Sequence, residues 1–111
     1  MKTVNYEIVQ GDTFILTVTY KDDNGDPIDL TGYSATFIVK DVPGGNVTCT
    51  TATIGNGITV VPLEGKFTIT LSATETKKFT VPKAYYQFQI DSGTEKTTLG
   101  AGWYEVTKGS I

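Results

Sequence analysis

The stretch that most limits the fold is Gln10–Lys40, QGDTFILTVTYKDDNGDPIDLTGYSATFIVK. From Thr13 to Tyr20 the residues alternate. Phe14, Leu16, Val18 and Tyr20 fall on one face, and Ile15, Thr17 and Thr19 on the other. A period of two with one apolar and one threonine-rich face is the mark of a half-buried strand, and no helix places residues that way. Asp22-Asp23-Asn24-Gly25-Asp26-Pro27 follows as a turn, since Asn-Gly accommodates positive φ and proline limits further pairing. After Asp29-Leu30-Thr31-Gly32 the alternation resumes over Tyr33–Lys40, with Tyr33, Ala35, Phe37 and Val39 inward.

The same period runs through the rest of the chain. Thr3–Val9 reads as a first strand, Val47–Ile54 as a threonine-rich edge strand or hairpin arm, and Ile58–Val61 as a short strand. Lys66–Ser72 places Phe67, Ile69 and Leu71 on one face. Ala84–Ile90 points Tyr86, Phe88 and Ile90 inward, Glu95–Leu99 pairs back, and Trp103–Thr107 closes with Tyr104 and Val106 inward. Turn residues recur between them at Pro43-Gly44-Gly45, Gly55-Asn56-Gly57, Glu64-Gly65 and Asp91-Ser92-Gly93. The exception is Ser72–Phe79, where Ser72 and Glu75 have capping-box spacing and Ala73, Thr76 and Phe79 follow at helical intervals. The expected class is therefore all-β: an antiparallel two-sheet sandwich, Ig-like in plan, with one short helical turn near Ser72–Phe79. At 111 residues, 1–111 is read as one β-sandwich domain.

Composition narrows the functional classes. All nine basic residues are lysine, histidine is absent, and the net charge is −3. Without the arginine fork that reads guanine and clamps phosphate, and with net negative charge, neither nucleic acid nor an anionic membrane is an expected partner. No apolar run is long enough to span a bilayer, and the N-terminal residues lack a signal-peptide core. The single Cys49 has no disulfide partner and no zinc spacing, and reads as a buried small apolar residue. No catalytic, cofactor-binding or metal-binding residues are expected. Asp22, Asn24 and Asp26 have a calcium-like spacing, but the position of the bidentate glutamate is Tyr33. Glu7, Glu64, Glu75, Glu95 and Glu105 are scattered, Lys77-Lys78 reads as a solvated helix face, and the Asn46-Val47-Thr48 sequon matters only in a secreted eukaryotic protein.

The candidate partner contacts are outward residues. Trp103 points away from the side that holds Tyr104 and Val106, and Tyr85 faces outward beside inward Tyr86. An outward Trp either covers a sugar ring, anchors a protein interface, or packs under a loop of its own domain. Ile15, Ile38 and Val61 also fall on outward faces, a pattern that points to an assembly surface.

The order of motifs — GDT and an alternating strand, DDNGDPIDLTG and another, then GITV, EGKFTITLSATET, AYYQFQI and GWYEV — resembles small β-sandwich domains of tailed bacteriophages. These occur in minor tail, tail-fibre attachment, collar and upper baseplate proteins. The resemblance runs from Gln10 to Val106 and rests most on Asp29-Leu30-Thr31-Gly32 and Leu71–Thr76. It implies a structural protein of the virion with no active site, assembled in the host cytoplasm, docked to other virion proteins and self-associated as a ring or trimer. The alternative is a carbohydrate-binding module at a fibre or cell surface, with Trp103, Tyr85 and Tyr104 as first suspects. A small hydrolase is the least supported reading, since histidine and any nucleophile-elbow motif are missing.

Overall fold

The alternation written in the sequence is reproduced in burial. In the computed structural model, which describes residues 2–109, strand β4 (Ser34–Lys40) buries Ala35, Phe37 and Val39. Strand β7 (Lys66–Leu71) buries Phe67, Ile69 and Leu71, and β8 (Lys83–Asp91) buries Ala84, Tyr86, Phe88 and Ile90. Between these lie β1 (Lys2–Thr3), β2 (Tyr6–Val9), β3 (Phe14–Thr19), β5 (Thr48–Ile54), β6 (Gly57–Val61) and β9 (Lys96–Thr107). The all-β class is as expected.

The pairing differs from the expectation of an antiparallel fold in two separate sheets. The strands form one hydrogen-bonded path, β1-β9-β8-β4-β5-β6-β7-β3, with β2 also on β9. That path is mixed: β1 and β2 run parallel to β9, and β5 runs parallel to β6. The β5–β6 link is only Thr53↔Gly57 and Ile54↔Ile58, where the chain turns sharply through Gly55-Asn56. The path curls until its ends meet through side chains: the Tyr6 and Phe14 rings lie 5.3 Å apart, edge to face. The result is a nearly closed, barrel-like sheet around a core of Phe37, Phe67, Phe79, Phe88, Tyr86 and Tyr104.

Beyond shifts of a residue at strand ends, one expected strand is split and two are joined, each for a long-range reason. The expected strand Thr3–Val9 is broken at Val4–Asn5. Opposite the break the Asn5 carboxamide oxygen accepts the Trp103 N–H at 3.0 Å, replacing a main-chain acceptor, and the Tyr86 hydroxyl donates to the Val4 carbonyl at 2.6 Å. Gly102 permits this approach, because an added Cβ would collide with the Val4 oxygen. Conversely, the expected strands Glu95–Leu99 and Trp103–Thr107 merge into one strand of 12 residues, Lys96–Thr107. The register shifts between Phe88 and Gln89, leaving Leu99 as the bulged residue. Gly100 and Gly102 then lie opposite Phe88 and Tyr86 and leave room for those rings.

The helical turn is shorter than expected. α1 spans Ala73–Thr76, and the chain continues to Phe79 in tighter turns, Lys78 N–H to Glu75 O and Phe79 N–H to Thr76 O. Its capping box is complete, with the Ser72 N–H donating to Glu75 Oε1 at 3.0 Å and the Glu75 N–H to Ser72 Oγ at 3.3 Å. Fully buried Thr76 fixes the turn to the chain before β3: its hydroxyl donates to the Asp12 carbonyl at 2.8 Å and accepts the Gly11 N–H at 3.0 Å. A 3-10 turn at Pro62–Glu64, read only as a chain reversal in the sequence, leads into β7. In Asp29–Gly32, Leu30 is buried, Asp29 accepts the Thr31 amide and hydroxyl, and Gly32 takes φ +83°.

Candidate functional site

Register brings three of the five outward residues onto one face, while Ile15 and Val61 lie elsewhere, on β3 and β6. Across β4, β8 and β9 the pairs Tyr85↔Trp103, Tyr85↔Lys40 and Ile38↔Gln87 place Trp103, Tyr85 and Ile38 on the side away from the core. The Tyr85 and Trp103 rings meet edge to face, 5.2 Å apart at 73°, a favourable aromatic geometry. The Lys83 ammonium stands 5.9 Å from the centre of the Trp103 ring, a cation–π distance. Trp103 is only half exposed, its ring braced by Tyr85 and Lys83, while its main-chain N–H is held by the Asn5 side chain.

The aromatic pair forms a ridge between two open grooves. The larger, of about 370 Å³, lies on the Tyr85 side and is lined by Thr36, Ile38, Lys40, Gln87 and Gln89, with Pro43-Gly44 at one end. The smaller, of about 300 Å³, lies on the Trp103 side between Asn5, Tyr6, Glu7, Lys83 and Glu105. Gln87 donates to the Thr98 hydroxyl at 3.2 Å. Hydroxyl, amide and aromatic groups together can bind a partner that combines apolar surface with hydrogen-bonding groups.

Ile15 is not part of this face. It lies on β3 opposite Thr70, at the far end of the strand path, and is 63% exposed. Tyr104, expected as a sugar contact, is removed from any surface: it is fully buried against Tyr6, Phe14, Phe79 and Tyr86. Among the described residues its hydroxyl has no hydrogen-bond partner, and burial, with the neighbouring Tyr86 and Tyr6 charges, pushes its pKa up. Burial is also the first cause of the raised pKa of Tyr86, whose hydroxyl is held by Val4. Leu63, in the 3-10 turn, is 78% exposed and was not singled out from the sequence, because Pro-Leu-Glu carries no alternation to say which way it points.

The acidic turn directs its groups inward upon itself. Asp22 Oδ1 accepts the Asn24 and Asp26 amides at 2.9 and 3.0 Å. Among the described residues no group of three or more His, Cys, Asp or Glu side chains is arranged to hold a metal ion. Cys49 is buried. No helix among the described residues is long and apolar enough to cross a membrane. Glu75 is held from several sides: partial burial opposes its ionised form, but the Ser72 amide, the Thr50 hydroxyl at 2.9 Å and Lys78 outweigh it and hold the pKa below the usual range. These contacts serve the cap of α1.

No family model and no curated protein matches the chain. Among solved structures, the fold is similar to the N-terminal domain of phage TP901-1 ORF48, with a TM-score of 0.52 and 13% sequence identity. The match covers 96% of this chain and 95% of that one, so the likeness is of a whole domain and is one of fold.

Proposed function

We propose that this chain is a non-enzymatic structural module of a bacteriophage particle, a component of the tail, collar, neck or baseplate that works by docking to neighbouring virion proteins. The observation that carries the reading is the end-to-end fold likeness to a phage domain. The order of sequence motifs described above supports it independently. In this reading the module is a two-layer, Ig-like sandwich, with β1, β2, β9, β8, β4 and β5 as one layer and β6, β7 and β3 as the other. The two-residue β5–β6 ladder would then be the corner where the chain changes layers. The ridge of Tyr85 and Trp103 is the docking surface, since half-exposed aromatics braced on a strand are the residues that anchor interfaces. Particles would be assembled in the host cytoplasm, without nucleic acid, membrane or cofactor as a partner of this module. Mass spectrometry of purified particles tests the assignment. The chain is expected at a fixed copy number per particle, and its absence from intact particles would overturn the reading.

A second reading is favoured by one feature, the larger groove beside Tyr85. Its Gln87, Gln89 and Thr36 groups could bond sugar hydroxyls while the ring covers an apolar sugar face. In a glycan array this reading expects binding that Tyr85→Ala and Trp103→Ala each abolish. A clean array for the unsubstituted protein counts against it.

A further inference from the structure

A strand path that does not close leaves edges, each a row of unpaired amides and carbonyls open to another strand. The β1–β2 edge and the stretch of β5 that β6 leaves unpaired are blunted. The β1–β2 edge is interrupted at Val4–Asn5. On β5, the register with β4 shifts at Val39/Lys40, and α1 lies alongside through the Thr50–Glu75 bond. β3 has neither device. Its six residues, Phe-Ile-Leu-Thr-Val-Thr, pair with β7 in unbroken register and include no charge and no proline.

The phase of that ladder shows which groups are free. Tyr20 donates to the Gly65 carbonyl at 2.7 Å on the β7 side. By alternation Phe14, Leu16 and Val18 turn their N–H and C=O groups to β7, and Ile15, Thr17 and Thr19 turn theirs outward. Among the described residues no strand pairs with that outer side. Beside it opens a slot of about 170 Å³, walled by Leu16, Val18, Tyr6 and Leu99 and floored by Tyr86 and Phe88.

We propose that the β3 edge pairs with a second copy of this chain, strand to strand and antiparallel, about a two-fold axis at Thr17. The edge itself selects an extended chain, because only a strand satisfies its alternating donors and acceptors. A second copy fits for three reasons. Both copies present the same edge and the same open apolar slot, so one isologous contact covers both. About Thr17 the sequence complements itself, with Leu16 meeting Val18 of the second copy on the inner face and Ile15 meeting Thr19 on the outer. No charge on the strand opposes its own image. The exposed Ile15 thereby gains a cross-strand neighbour. A ring or trimer would need two different surfaces that fit each other, whereas this edge fits itself. The inference stands apart from the particle assignment and concerns the purified chain alone.

Sedimentation with residue-resolved amide exchange tests it. The purified protein is expected at twice the mass of one chain when concentrated, with the Ile15, Thr17 and Thr19 amides exchanging at least about tenfold more slowly than in dilute monomer. Thr17→Pro removes an outward N–H, a place where strands tolerate proline, and should return a single-chain mass while the Leu16 and Val18 amides stay protected by β7. Thr17→Lys sets two lysines directly opposite and should weaken pairing in a way that added salt restores. A single-chain mass at the highest attainable concentration overturns the proposal. So does a dimer whose Ile15, Thr17 and Thr19 amides exchange freely, or one that both Thr17 variants leave intact.

Discussion

At the scale of single residues, two buried tyrosines make opposite predictions. The Tyr86 hydroxyl is bonded to Val4, and the Tyr104 hydroxyl to nothing, although both rings belong to the same aromatic cluster. Removing a satisfied hydroxyl strands its partner, whereas removing an unsatisfied one relieves a desolvated group. Tyr86→Phe should therefore cost about 1–2 kcal/mol, and Tyr104→Phe should be neutral or stabilising, read as shifts in urea midpoint at constant slope. Glu75 gives a pH prediction. Its folded-state pKa lies below the ordinary 4.5, so its contribution is present above that value and is lost as pH falls through the folded value. Glu75→Gln should flatten the acid limb of stability measured against pH, chiefly below pH 4.5.

At the scale of elements, the strands that were legible are those whose information is local. β3, β4, β7 and β8 alternate within themselves, and the Ser72 cap and the Leu30 plug declare themselves over four residues. What could not be read depends on residues far apart. Thr3–Val9 looks like one strand until Gly102 draws the Val4 carbonyl close. Gly100-Ala101-Gly102 looks like a break because it is nearly bare of side chains, yet those glycines face Phe88 and Tyr86. Parallel pairing of β1 and β2 with β9 leaves no mark on a short strand. Gly102→Ala tests this junction: the Cβ must displace the Val4 carbonyl and with it the Tyr86 bond. A loss of about 2–4 kcal/mol is expected, with amides of β1 and β2 losing exchange protection before those of β4.

At the scale of the whole molecule, the chemistry lies on an outer surface. Outward alternation singled out Trp103, Tyr85 and Ile38, and register through the β9 bulge gathered them. Neither the edge-to-face contact nor the groove of Gln87, Gln89 and Thr36 could be read beforehand, because both depend on which residues stand across neighbouring strands. Ile15 belongs to a different surface, the free edge of β3. The two proposals thus rest on separate surfaces, the aromatic ridge for docking to other proteins and the β3 edge for pairing with a second copy.

The central claim, a docking module of a phage particle, is tested most directly by electron cryomicroscopy of the assembled particle. Density for this fold is expected at a symmetric position, with Trp103 and Tyr85 buried against a neighbouring protein. A complete particle without that density, or with this face open to solvent in every copy, would contradict it.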